Sequence, residues 1–451
     1  MPYVSINPWT GQTLNRYPSL QPTEVDQCLD QAERAFKIWS QTPLETRCQA
    51  LLDLAGRLEQ RRELLAAFIT AEMGKPMRES RAEVDKCAWC CRYYAEQAPV
   101  LLQPRPVETN ARQSFVRADP AGIVLGIMPW NFPLWQVFRY AVPNLALGNG
   151  VLLRHASSTG GCACAIASLF ETEAFPPGIF QNLYLEHDSV EKVMAHRAVS
   201  GVTLTGSEKA GAAVAALAGR YLKKSVLELG GSNAFLVLQG ADLDLAVADA
   251  VQARLVNAGQ SCIAAKRFIV EAPLYEAFAH RFAEALSACK VGDPMLDETR
   301  LGPLASREAA RHLEEQLQAS LSSGAVLLAG GHVEGTRFEA TLLGEVTPGM
   351  RVFDEETFGP LAALTRARDA EHALELAHAS RYGLGLSIYC GSERQGLSLA
   401  ARAADGAVFI NAPVLSDPRL PFGGTKASGY GRELSREGLL EFANIKTVLL
   451  R

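Results

Sequence analysis

Short apolar or β-branched runs separated by helical segments recur along the chain, and this alternation constrains the fold more than any other feature. A first series comprises residues 121–128 (AGIVLGIM), 150–153, 200–205, 226–228 and 233–238 (NAFLVL). A second begins at 266–271 (KRFIVE) and continues through 325–329, 361–365, 384–389 and 406–410. The alternation of such runs with helical segments predicts a parallel α/β sheet from the first series and a second α/β domain from the second. A length of 451 residues exceeds what one core organises, which agrees with two such units. Ahead of them, Thr23 and Asp26 resemble a capping box, and Val25, Cys28, Leu29, Ala32, Phe36 and Trp39 recur on one helical face.

Two segments fit neither series. Residues 104–118 (PRPVETNARQSFVRA) read as a polar, alternating hairpin, and 444–450 (NIKTVLL) as a last strand. Strands that leave their domain commonly seek an edge on a partner subunit. The stretch 418–431 (PRLPFGGTKASGYG) is too rich in small residues for a helix or central strand and reads as a loop of the kind that lines sites.

The balance of 44 basic against 49 acidic residues, a formal charge of -5, argues against nucleic acid or an acidic membrane as partner and favours small molecules. No run approaches the eighteen or so apolar residues of a membrane span, and the N-terminal residues lack a signal-peptide pattern, so a cytoplasmic location is expected. Ten cysteines in a reducing compartment read mostly as small buried hydrophobes. Cys87 and Cys91 share helical spacing with Val84 and Tyr94, so Cys87, Cys90 and Cys91 are expected in a core rather than on a metal, and Cys162 and Cys164 likewise; no metal site is predicted.

Three segments carry chemistry. NAGQSCIAAKRF (257–268) places Cys262 between a Gly-containing turn and a strand. To act as a nucleophile the thiol must reach the thiolate from a reference pKa of about 8.5, which needs a base from elsewhere in the chain. In LELGGSNAF (227–235) Glu228 interrupts an apolar run; burial makes a carboxylate a better base near neutrality, but capping of the Gly-Gly turn fits the spacing equally well. In MPWNFPLWQVFR (128–139) Asn131 lies at a strand end, with Pro133 starting a helix, where an amide can serve a developing oxyanion or simply make a turn. The strand GVTLT runs into Gly206, Ser207 and a helix spaced by Gly211; Ser207 can cap that helix, whose free amides suit a pyrophosphate.

Taken in order, PWNFP, LTGSEKAG (204–211), LELGGSNA, GQSC ending at Cys262, EETFGP (355–360) and PFGGTKASGYGRE (421–433) resemble the aldehyde dehydrogenase superfamily over nearly the whole chain. The resemblance implies two Rossmann-like α/β domains: a cofactor-binding domain at 1–102 and 120–230, and a catalytic domain at 231–432. A small β oligomerisation element at 103–119 and 433–451 completes the arrangement, with a homodimer or homotetramer as the assembly. It implies Cys262 as nucleophile, Asn131 with the Cys262 amide as oxyanion hole, and Glu228 as base for the thiol or for the water that hydrolyses a thioester. Trp130, Glu356 and Phe358 are similar to residues beside the nicotinamide half of a dinucleotide, and Glu433 to one in the proton-relay region behind Glu228. Members often carry a lysine directly after the position of Arg139; Tyr140 stands there, so that relay is not carried over.

Within the superfamily the chain resembles succinate-semialdehyde dehydrogenases, which implies a carboxylate-binding role for Arg139 and Ser416, with Trp135 as an apolar wall and Arg419 as a further cation in the same loop. An arginine some of them carry six residues before the cysteine is replaced by Val256. The competing readings are a broad-specificity aldehyde dehydrogenase with a structural Arg139, and a retained fold that binds without turnover or acts as a thiol esterase. Where members preferring NAD often have a glutamate, Ser157 stands, with Arg154 three residues earlier; NADP is therefore the expected cofactor, with NAD possible.

Overall fold

The two series of strands resolve into two separate sheets in the computed structural model, which describes residues 3–451. The first has six strands in the order Gly429–Tyr430, Lys224–Glu228, Val199–Thr205, Ile123–Met128, Gly150–His155 and Phe180–Asn182. All neighbours are parallel except Gly429–Tyr430, which closes one edge antiparallel to Lys224–Glu228. Every residue of Ile123–Met128 is buried, the result of helices on both faces, and this is why it reads as an uninterrupted apolar run. That strand comes first in the sheet, and later strands are added on either side of it. The crossovers therefore part between Ile123–Met128 and Val199–Thr205, and a crevice opens at their C-terminal ends.

The second sheet has seven strands in the order Val326–Ala329, Thr341–Gly344, Leu361–Ala367, Ala265–Glu271, Asn233–Val237, Leu386–Tyr389 and Val408–Ile410. The run at 233–238, grouped by sequence with the first series, belongs here: Asn233 pairs with Ala265, and Ala234 with Leu386. Phe180–Asn182 and Thr341–Gly344 were not foreseen; they contribute three and four residues at or next to sheet edges.

The two segments left over by sequence pair with each other. Ala443–Leu450 runs antiparallel to Gln113–Pro120 in unbroken register, and Arg105–Pro106 adds a short third strand. The first helix, Pro22–Trp39, starts earlier than expected: Pro22 opens it, and the backbone amide of Gln21 donates to Glu24 at 2.6 Å, so the cap is not Thr23 with Asp26. Among the described residues no helix is long and apolar enough to cross a membrane, and no cluster fit for a metal ion occurs.

The helix Met77–Leu101 packs against Leu44–Gln60 and Trp135–Leu147, with Cys87, Cys90 and Cys91 wholly buried between them as expected. Cys162 is buried too, whereas Cys164 faces solvent, against expectation, because the short helix Gly160–Ala167 buries only part of its circumference.

Candidate active site

Cys262 ends a tightly wound loop. In the turn Val256–Gly259, Asn257 and Ala258 both take left-handed backbone angles, φ 52° each, and Gly259 follows at 74°. A left-handed non-glycine residue costs about 1–3 kcal/mol and persists only where its surroundings hold it. Buried cations hold it here: Arg254 donates to the Gly259 carbonyl at 2.8 Å, and Lys266 to the carbonyls of Ser261 and Cys262 at 2.9 and 2.8 Å. Burial pushes the Cys262 thiol up to about 11, with Arg139 and Lys266 opposing, so the resting group is the thiol.

Asn131 follows the central strand and is held from three sides. Its Nδ2 donates to the Gln260 carbonyl at 2.9 Å, its Oδ1 accepts from Gln136 at 3.1 Å, and its own carbonyl accepts from Asn257 at 2.6 Å. One of the two Nδ2 hydrogens is thereby used, which leaves the other for a ligand oxygen beside Cys262. The helix beyond begins at Trp135 rather than Pro133, because its first amides are capped by a carboxylate from another helix: Glu83 accepts from the amides of Leu134 and Trp135 at 2.8 and 2.9 Å.

Glu228 ends the strand Lys224–Glu228 with 2 % of its surface exposed, and neither carboxylate oxygen has a hydrogen-bond partner among the described residues. Burial holds its carboxyl well above the usual range, while Arg139 pulls it down and Glu433 pushes it up. Arg139, Glu433 and Glu228 form one buried electrostatic group. Arg139 is ion-paired with Glu433, donates to Thr205 Oγ1 at 3.2 Å and lies over the Phe422 ring; Thr203 donates to the other Glu433 oxygen at 2.9 Å. The guanidinium expected to face a substrate is thus charge-paired with an internal acid through its Nε, although Arg139 does line the cavity. Tyr140 turns away, donating to the Leu152 carbonyl at 3.1 Å and filling the space left by Gly126.

Two cavities meet at Cys262. The first is walled by Trp130, Asn131, Gly206, Ser207, Glu356 and Phe358 and lies at the crevice between the diverging crossovers. Ser207 caps the helix Glu208–Arg220, accepting from the Ala210 amide at 3.3 Å. Trp130 and Phe358 meet edge to face at 5.8 Å, and Glu356 accepts from the Gly231 amide at 3.0 Å and from Lys266 at 3.1 Å. A side chain at Gly230 would collide with Glu356, so glycine keeps this wall open. Arg154 and Ser157 lie at the end of the adjacent strand: Ser157 is exposed, and Arg154 sits 3.5 Å from His187.

The second cavity, of about 270 Å³, is lined by Lys86, Trp135, Arg139, Val256, Ser416 and Phe422 among others. Ser416 accepts from Trp135 Nε1 at 3.0 Å and from Lys86 at 2.7 Å. Arg419 stays outside, paired with Asp417 at 2.6 Å. Glu228 lines neither cavity. Lys86, Lys266, Thr205 and Glu83 are the residues sequence reasoning missed. A signal existed for two of them, because Glu79, Glu83 and Lys86 recur at i, i+4 and i+7 and so mark a charged stripe on one face of a long helix.

The aldehyde dehydrogenase family model matches residues 2–448, and the chain belongs to that family. It is 46 % identical over 448 residues to the succinate semialdehyde dehydrogenase (NAD(P)+) Sad of Escherichia coli K12, covering 99 % of this chain and 97 % of that protein. It is 45 % identical to the succinate-semialdehyde dehydrogenase (NADP(+)) of Deinococcus radiodurans, over 99 % and 94 %. Among solved structures, the succinic semialdehyde dehydrogenase of Streptococcus pyogenes in complex with NADP+ superposes with a TM-score of 0.96 at 36 % identity, covering 99 % of each chain. The pair of α/β units with an added β element is the architecture of the family.

Proposed function

We propose that this chain oxidises succinate semialdehyde to succinate through a thioester on Cys262, with NADP preferred over NAD. The observation that carries the reading is the place of Cys262, which lines both cavities. A dinucleotide suits the first cavity: its glycine-lined wall, the amides at the start of Glu208–Arg220 and the aromatic pair Trp130 and Phe358 fit phosphate and ring. Gly206 and Ser207 would take the pyrophosphate, Glu356 and Phe358 the nicotinamide half, and Arg154 and Ser157 the adenine ribose with its 2′-phosphate. When bound, the cofactor supplies the hydride acceptor.

The chain's own residues do the rest. Cys262 loses its proton to Glu228 and attacks the aldehyde carbon, and the resulting alkoxide is held by the free Nδ2 hydrogen of Asn131 and the Cys262 amide. Once the thioester has formed and Glu228 has passed the thiol proton to solvent, its carboxylate takes a proton from the water that hydrolyses the thioester, and the Cys262 thiolate leaves as the acid is released. Glu228 must swing toward the thiol for either task, and no hydrogen bond holds its carboxylate back. Residues 1–102 and 120–230 would hold most of the cofactor, 231–432 would carry the nucleophile and lend Glu356 and Phe358 to the cofactor cavity and Gly429–Tyr430 to the first sheet, and 103–119 with 433–451 would join subunits into a dimer or tetramer. Glu433 belongs to the last segment yet reaches the active centre. Ten free cysteines support a cytoplasmic setting.

The test is formation of reduced cofactor when aldehydes with and without a terminal carboxylate are added to the enzyme with NADP or NAD. Selective turnover of succinate semialdehyde, lost in Cys262→Ala, is the expected result. Absence of reduced cofactor, or equal turnover of neutral aldehydes, would overturn the reading.

A further inference from the structure

Four charged side chains line the cavity on the far side of Cys262 from the cofactor crevice: Glu79, Glu83, Lys86 and Arg139. Three of them are spent. Glu79 accepts from the Asn257 amide at 2.7 Å, and burial pushes its carboxyl up, toward the neutral form. Glu83 is ion-paired with Lys75 and accepts the two amides that open the helix at Trp135. Arg139 is paired with Glu433. Glu79 and Lys86 both lack an ion-pair partner among the described residues, but Glu79 is pushed toward neutrality, which leaves Lys86 as the unpaired charge; its ammonium sits 4.4 Å from the centre of the Trp135 ring and 2.7 Å from Ser416 Oγ.

An ammonium in that position lacks an anion. It has three N–H bonds, of which Ser416 takes one, and Ser416, already accepting from both Lys86 and Trp135, keeps its own hydrogen to donate. A carboxylate entering the cavity would therefore meet charged N–H donors and a hydroxyl donor at one place, and charge-assisted hydrogen bonds of this kind are stronger than neutral ones. Burial and repulsion from Arg139 draw the Lys86 proton off at about 8, which a bound carboxylate would reverse.

We propose that Lys86, supported by Ser416 and Trp135, anchors the terminal carboxylate of the aldehyde and so sets the preference for acidic over neutral substrates. The proposal rests on the reading of this site as one that oxidises succinate semialdehyde, and it moves the principal cation from Arg139 to a residue on the helix Met77–Leu101.

The experiment compares wild type, Lys86→Gln and Lys86→Arg on succinate semialdehyde and on butanal, which has the same number of carbons and no carboxylate. Lys86→Gln should lose about 10- to 100-fold in kcat/KM on the acid relative to butanal, expressed in KM, and Lys86→Arg should retain most of the preference. A Lys86→Gln variant that loses equally on both substrates, or keeps the wild-type ratio, would overturn the proposal. Calorimetric binding of succinate needs no turnover and separates the two readings. Succinate should bind wild type and bind Lys86→Gln about 10- to 100-fold more weakly. Wild type that binds succinate through Lys86 but does not oxidise the semialdehyde would sink the proposed function and leave the anchor standing. Equal binding by both proteins, or none by wild type, would sink the anchor.

Discussion

Arg139 and Glu433, separated by 294 residues, meet as an ion pair whose side chains expose only 2 % and 4 % of their surface. Removing one partner of such a pair leaves the other buried and uncompensated, at a cost of about 3–5 kcal/mol. Arg139→Ala should therefore lower stability toward chemical denaturant by that amount. Its loss of activity should be the same for succinate semialdehyde and for butanal, because Glu228 and Cys262 both feel the missing charge. A selective loss on the acid at unchanged stability would return the substrate-binding role to Arg139.

Glu228 carries the next expectation. Its folded pKa lies well above the ordinary carboxylate value, so it is the neutral acid below that pKa and a base only above it. The rate should climb with pH on a limb displaced upward from the usual carboxylate range. Glu228→Gln, unable to take a proton, should remove that limb and slow turnover by about 10²- to 10⁴-fold. A pH profile of kcat for both proteins checks this, and an unchanged profile in the variant would remove Glu228 as base.

A second pH effect separates by substrate. Lys86 has its pKa lowered to about 8 by burial and by Arg139, with Cys87, Cys90 and Glu83 opposing and Asp417 near enough to feel its charge. The sign is that of a depressed ammonium: charge is present below about 8 and lost above it. The KM for succinate semialdehyde should rise as pH passes through that region, while the KM for butanal stays level. Parallel curves would show that Lys86 does not meet the substrate.

The sheets were legible because a strand covered on both faces is largely apolar, as in Ile123–Met128. Which sheet a strand joins was not. Nothing local in NAFLVL announces that its neighbours are Ala265–Glu271 and Leu386–Tyr389 rather than Lys224–Glu228. The same limit governs the site. Cys262, Asn131 and Glu356 stand in short segments whose neighbours carry the signal, and the structure gathers all three around one cavity. The fate of Arg139 depends on a carboxylate far along the chain, and Lys86, one lysine on a long helix, reads as solvated until Ser416 and Trp135 are brought to it.

Cofactor choice gives the last expectation. Ser157 is exposed at the end of the strand Gly150–His155, with Arg154 half-buried three residues before it. A glutamate there would repel a 2′-phosphate, so Ser157→Glu should swing the ratio of kcat/KM toward NAD. Wild type with the higher kcat/KM for NAD would refute the preference, and a ratio unmoved by the substitution would refute its structural basis.

The long separation between Arg139 and Glu433 also orders events in time. Arg139 belongs to a segment that leaves the ribosome early, yet the acid that pairs with it arrives with Glu433, just after the edge strand Gly429–Tyr430. Until then, Arg139 would be buried without its ion-pair partner, which weakens the seat of its helix against the sheet. Contacts this distant in sequence close slowly. In a nascent chain the surroundings of Cys262 would thus stay unfinished until the last strand of the first sheet is in place.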